Sequence, residues 1–448
     1  MTATAVKRTG WFRVTCWLAL LCMVLQMFAS FFFDDMFSSV SNMFEDSSLN
    51  ALGWDSVGYG FYTGGYSVLC VFGGLVVCGL LLDRFGVRIV GSVFVTMMVA
   101  GAAIVYHALI SGNSPSSSLM EAYVGCMLFG LGSEIAGTAV TRSIAKWFKD
   151  GPMALAMGLQ LSISRLGTAF ALVITPKLVG TKEFYDLSDT SRPALLGLGL
   201  MALGLIAWAV FVALDAGFDR RRGSLNANEE VKEEPFRLRD ALEVVTNKNF
   251  LTLGALCVLF YSTVIAFKKF AGAILIPRFD IPAETAGWMV AMLPFATVIF
   301  APLFGILVDK KGKATRWMLT GSVLSFAAHL LLGLAPQGVP FYGYLSMVFL
   351  GFGYSLVPAA LWPSISRVVP EKALGTAYSL AYWIQNVGML SFKLLAGFIL
   401  GGAAAAESSA NGPVRVEIMF IILAALAIAA AFILLRSSDR NPGLGLDK

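Results

Sequence analysis

The stretch "GLLLDRFGVR", Gly79–Arg88, returns in altered form as "GILVDKKGK", Gly305–Lys313. In both, a glycine stands four residues before an aspartate and a second glycine three residues after it: Gly79, Asp83, Gly86 and Gly305, Asp309, Gly312. Glycine allows a sharp turn or a close approach of two helices. The aspartate can take up a helix-end dipole or a neighbouring cation. Each copy follows one long apolar run and precedes another, so the chain reads as an internally duplicated series of such runs.

Working outward, the chain has 448 residues, of which 57% are hydrophobic and 14% charged. A soluble domain carries roughly 25% charged residues. Twelve apolar runs lie at approximately 12–33, 57–82, 88–110, 119–145, 152–178, 193–214, 249–278, 284–308, 316–335, 341–366, 374–400 and 415–436. Runs of about 20 residues cross a hydrocarbon core of about 30 Å. In lipid their backbone must satisfy its own hydrogen bonds, so they are helices. The expected fold is an all-α membrane protein with twelve transmembrane helices in two six-helix pseudo-repeats. Residues 1–214 and 249–448 would form the halves, and the mixed-charge segment 215–248 the linker.

The formal net charge of +5 is set by topology. Lys7, Arg8 and Arg13 precede the first run, and Arg84 and Arg88 follow the second. Lys146 and Lys149 follow the fourth, Arg220–Arg222 the sixth, and Lys310, Lys311 and Lys313 the eighth. The alternate loops hold few cations and include the acidic stretch 34–55. By the positive-inside rule both termini are expected to be cytoplasmic, and no nucleic-acid surface is implied. The six cysteines and two histidines have no metal-ligand spacing, so neither metal nor other cofactor is expected. No nucleophile–base set or phosphate-binding glycine loop points to an enzyme or an ATP-driven pump. Without a cleavable signal or an acidic dileucine signal, the expected location is a plasma or cytoplasmic (inner) membrane.

A second internal match relates "GLGSE" at Gly130 to "GFGYS" at Gly351, and "SRLG" at Ser164 to "QNVG" at Gln385, with a common offset. Parallel duplication of this kind places a transporter's site between the halves near the midplane. An ionisable residue at that depth is costly and functional by default. Glu134 lies about twelve residues from the cytoplasmic end of the fourth run and Arg165 about fourteen from the cytoplasmic start of the fifth. At 1.5 Å per residue both are roughly 18–24 Å deep. Their counterparts in the second half, Ser355 and Asn386, are neutral. An acid and a guanidinium at one depth suit a zwitterion, since arginine can hold a carboxylate by two bonds. The alternative is a structural ion pair fastening the fourth helix to the fifth.

Lys268 and Lys269 lie in the seventh run, and Lys268 shares a face with Tyr261. At least one of them is expected in the cavity, holding a solute carboxylate or pairing with Asp34; snorkelling to the outer headgroups is the rival for the other. Tyr62 and Tyr66 follow helical spacing, as do Tyr382, Gln385 and Asn386; with Trp362 they would form the cavity wall. Arg142, near the cytoplasmic end, reads as a gate or a helix-end contact. Asp83, Arg84, Gly86, Asp309 and Gly312 read as conformational elements of the two turns. Lys393 receives no firm role.

The doubled turns in a six-plus-six layout resemble the major facilitator superfamily. The stretches "GSEIAGTAVTRSIAKWF", "GLQLSISRLGT" and "ALWPSISRVVPEKALGTAYSLAYWIQNVG" are similar to its lysosomal dipeptide-transporter type. Glu134 precedes Trp147-Phe148 by thirteen residues, and Arg165 takes the arginine of the "GLQLS-x-x-R-x-G" motif, as in that family. The chain departs from the pattern at Lys268 and Lys269. The resemblance implies transport of short peptides, with Glu134 meeting the amine and Arg165 the carboxylate. The expected function is therefore secondary transport of small zwitterionic solutes, dipeptides first, across a bilayer by alternating access. The alternatives are proton-coupled symport of small organic anions and a transporter-like receptor.

Overall fold

The computed structural model describes residues 10–148, 152–223, 244–369, 373–404, 412–441 and 446–447. They form thirteen α-helices and no β-sheet. The helices are α1 (Gly10–Asp35), α2 (Ser56–Leu69), α3 (Leu75–Ile110), α4 (Pro115–Trp147), α5 (Met153–Val179) and α6 (Leu187–Gly223). They continue with α7 (Lys248–Lys269), α8 (Ala271–Phe279), α9 (Ala283–Lys311), α10 (Ala314–Leu334), α11 (Pro340–Val368), α12 (Leu374–Ala404) and α13 (Gly412–Arg440).

Eleven of these helices are long and apolar enough to cross a membrane. The run at 57–82, expected as one span, is instead divided. α2 ends at Leu69, and a wide π-type turn follows at Cys70–Gly74, where Phe72 and Gly73 leave helical geometry (Gly73 φ 94°). α3 then begins before the first duplicated turn. Gly86 bends it at φ 77°, and Gly312, the matching glycine, ends α9 at φ 61°. Both values lie in the left-handed region where a side chain is disfavoured, which accounts for the repeated glycine.

The expected linker also starts later than 214, because α6 runs on to Gly223. Asp215 and Asp219, one helical turn apart, face cations of two other helices. Lys146 on α4 reaches Asp215 at 2.9 Å and Asp219 at 2.7 Å, and Arg88 on α3 reaches Asp219 at 2.9 Å. The Trp147 indole N–H donates to Asp215 at 2.8 Å. These bonds hold the segment helical where composition alone suggested a solvated linker. Residues 224–243 of that linker lie outside the described residues.

α1 packs on α5 and α6, α3 on α4 and α6, and α2 on α4; α10 packs on α11 and α13, α9 on α11, and α7 on α12 and α13. The N-terminal helices meet the C-terminal ones along α2–α12 and α5–α9. Glu134 and Arg165 lie on α4 and α5, beside that seam. Of its two ends, the basic end carries Asp83–Arg88 and Asp309–Lys313, and the opposite end carries the turn after α1.

Candidate solute-binding site

Glu134 is half-buried on α4. The hydroxyl of Tyr66, from α2, donates to its Oε1 at 3.1 Å and lies 3.3 Å from Ser133 Oγ, which in turn bonds Ser30 on α1 at 2.6 Å. No cation of the described residues pairs with Glu134. Below it, Thr138 and Thr141 are exposed and return their hydroxyls to carbonyls of their own helix. The carboxylate therefore stands at the head of a helix face open towards the basic end.

Arg165 is half-buried on α5. Its guanidinium carbon lies 5.1 Å from the ring centre of Tyr354 on α11 and 5.5 Å from that of Phe31 on α1. Its buried Nε has no hydrogen-bond partner, and among the described residues no carboxylate pairs with it. The expected alternative, an ion pair between α4 and α5, is not made. Rings beside a cation stabilise it, and the unpartnered Nε–H is a donor that a planar anion could use. Beside it is a cavity of about 10 Å³, lined by Arg165, Thr168, Val264, Leu293, Tyr354 and Lys268. That is room for about one water.

Lys268 is engaged rather than free. Its ammonium lies 2.6 Å from Asp35 on α1. Lys269 lies 3.0 Å from Asp35 and 2.8 Å from Asp34, and also donates to the Asp34 carbonyl. Thr168 Oγ1 completes the set, donating to Asp35 at 2.8 Å. Both lysines point inward, so neither snorkels. Asp35, 1% exposed, is the group that the sequence reading missed. Its signal in the sequence is an Asp34-Asp35 doublet at the end of one apolar run and a Lys268-Lys269 doublet in another.

The aromatic wall divides in two. Trp362 on α11 donates its indole N–H to Tyr261 at 2.8 Å, receives the Tyr378 hydroxyl on its carbonyl at 3.1 Å and stacks on Tyr382 with ring centres 4.6 Å apart. Tyr382 is 46% exposed, towards the basic end. Gln385 and Asn386 are buried near it on α12, and Gln385 Oε1 and Asn386 Oδ1 each lack a partner. Tyr62 is elsewhere: its ring packs with Phe37, Trp54 and Tyr59 in the seal over the opposite end.

Of the conformational residues, Gly86 and Gly312 make the turns already described. Arg84 is exposed, with its guanidinium 5.4 Å from the Phe85 ring centre. Asp309 is exposed and unpaired among the described residues. The side chain of Asp83 lies outside the described residues. Arg142 is half-buried on α4, two turns nearer the basic end than Glu134.

A profile of the Major Facilitator Superfamily matches residues 19–277 and 269–446. The chain belongs to the major facilitator superfamily. Its members, and the curated relatives of this chain, are transporters and not enzymes. A relative from Danio rerio, named lysosomal dipeptide transporter MFSD1, is 29% identical over 93% of this chain and 86% of its own length. The Mus musculus protein of the same name is 30% identical over 86% of this chain and 78% of its own. The crystal structure of a point mutant of the nucleoside transporter NupG superposes with a TM-score of 0.71 at 14% identity, covering 94% of this chain and 99% of that one. At that identity the likeness concerns the facilitator fold alone. The resemblance read from the Glu134 and Arg165 motifs thus agrees with the relatives' printed names.

Proposed function

We propose that this member of the superfamily moves small zwitterionic solutes, dipeptides by preference, by alternating access. One observation carries this reading: Glu134 and Arg165 are opposite charges on adjacent helices, neither satisfied by an ion partner, above a face open only towards the basic end. Leaving two such groups without counter-ions in a membrane interior is costly. A solute carrying an ammonium and a carboxylate removes that cost for both at once. Glu134, oriented by Tyr66, would take the amine. Arg165, held between the Phe31 and Tyr354 rings, would take the carboxylate by two parallel bonds. Gln385 and Asn386 would supply acceptors to the peptide N–H, and Trp362, Tyr261 and Tyr382 would tolerate varied side chains.

In this reading the two six-helix halves rock about the site. The Asp35 cluster closes the opposite end while the basic end, taken as cytoplasmic, is open. Lys268 is then a gate residue in this state and a carboxylate ligand only once Asp35 has moved away. Asp83, Asp309 and Arg142 would act in closing the basic end. The membrane is proposed to be the plasma or cytoplasmic membrane; recovery in an acidic-organelle fraction, as the relatives' names have it, overturns that placement.

Thermal stabilisation of the purified protein by dipeptides, free amino acids and small organic anions tests the solute class. Dipeptides are expected to raise Tm, by about 2.7 kcal/mol of added stability at a hundred times Kd. Glu134→Gln and Arg165→Ala, each confirmed folded, are expected to abolish the rise. Stabilisation by anions alone that survives Glu134→Gln favours proton-coupled anion symport and discards the peptide reading.

A further inference from the structure

We propose that Lys393 forms a separate anion subsite, one that takes a carboxylate on the side chain of the solute's N-terminal residue. This rests on the zwitterion site above and adds a selectivity that the site alone does not require. Lys393 lies on α12 and is 1% exposed. An ammonium has three protons to donate, and the only hydrogen bond it makes among the described residues is to the Thr63 carbonyl of α2, at 3.2 Å. No carboxylate of the described residues pairs with it. Lys268 and Lys269, by contrast, share Asp34 and Asp35.

The position of the ammonium joins it to the amine end of the site. It lies 5.3 Å from the centre of the Tyr66 ring, and the hydroxyl of the same ring holds Glu134. A solute with its amine on Glu134 and its carboxylate on Arg165 therefore presents its first side chain beside Tyr66, towards Lys393. An aspartyl or glutamyl side chain brings a carboxylate there; a lysyl or arginyl one brings repulsion. The charges along the seam point the same way. Arg165, Lys268, Lys269 and Lys393 face Asp34, Asp35 and Glu134, leaving the set one anion short. A zwitterion leaves that deficit as it was, whereas an acidic dipeptide fills it. The rival is a purely structural tie from Lys393 to Thr63 across the seam, which carries no preference for solute charge.

The test compares the affinities of glutamyl-alanine, glutaminyl-alanine, alanyl-glutamate and alanyl-glutamine for the purified wild type. Glutamyl-alanine is expected to bind about tenfold tighter than its glutaminyl partner, the size of one net charge-assisted bond. The two alanyl peptides are expected to differ by less than about twofold. Lys393→Gln is expected to bring the first ratio to one, and Lys393→Arg to keep it. Equal binding of glutamyl- and glutaminyl-alanine by the wild type, with both still bound, overturns the subsite and leaves the zwitterion site standing. A preference that persists in Lys393→Gln also overturns it. Absence of binding by all four peptides removes both proposals together. The wild-type contrast decides the matter even where a variant does not fold.

Discussion

The two ends of the seam between the N- and C-terminal helices are built from different chemistry. At the opposite end, buried carboxylates and ammoniums cross the seam, and the Tyr59 hydroxyl donates to the Lys269 carbonyl at 3.0 Å. The Ala273 N–H donates to Ser41 Oγ, also at 3.0 Å. Backbone comes within touching distance there, as at Gly287 on α9, where an added Cβ would fall 2.3 Å from the Leu172 carbonyl of α5. Towards the basic end, Trp383 donates to the Val71 carbonyl at 2.7 Å, and Thr138 and Thr141 on α4 and Tyr382 on α12 are exposed. The lesson is one of placement. Directional, desolvated bonds gather at the opposite end, whereas Glu134 and Arg165, which have no ion partner among the described residues, are only half-buried.

The largest expected effect follows from breaking the shut end. Asp35→Asn leaves two buried ammoniums with Asp34 alone, and removing one partner of a buried ion set costs about 3–5 kcal/mol. A marked fall in Tm is expected, together with faster alkylation of an Ala273→Cys reporter, a position buried in this state. Unchanged stability and unchanged alkylation would mean that the ions do not hold this end. A milder wedge is Gly287→Ala, which forces α9 away from α5 at a cost of about 1–3 kcal/mol. It is expected to shift spin-label distances across the opposite end outward while dipeptide stabilisation persists. Loss of dipeptide stabilisation instead would place Gly287 in the site rather than in the seal. The smallest effect is expected at the open end. Trp383→Phe removes one partly exposed hydrogen bond, worth about 1 kcal/mol, and is expected to change uptake by no more than about twofold. A severe loss there would show that the basic end is held as firmly as the other, and the contrast between them would fail.

Much of this was legible in one dimension because a bilayer imposes one-dimensional rules. A span needs length and apolarity, both countable, so most of the runs fall on single observed helices; the run at 57–82 is divided between α2 and α3, and the run at 249–278 between α7 and α8. Residue rise gives an expected depth, so Glu134 and Arg165 could be read from the sequence as candidates at one level. The turn glycines were readable because their backbone geometry excludes other residues. Three features were not readable. The break at Phe72 and Gly73 depends on how α2 seats against its neighbours, and nothing in an apolar run marks where its helix widens. The extension of α6 depends on Arg88 and Lys146, more than sixty residues away in sequence, which pair with Asp215 and Asp219 at the start of a mixed-charge linker. The choice of Asp35 as well as Asp34 depends on rotation: adjacent residues point about 100° apart on a helix, and only packing sets which one faces α7.

The sequence by itself determined the all-helical membrane fold, the glycines of its duplicated turns and, through its motifs, the transporter family. These are properties of each segment against lipid, where every segment answers the same physical test alone. The tertiary structure alone decided which charges are spent and which are left over. Asp35 takes both lysines, Tyr66 orients Glu134, and among the described residues no carboxylate pairs with Arg165 or Lys393. Whether a charge has a partner is a question of distances of a few ångströms between helices far apart in the chain, and no single segment contains that information.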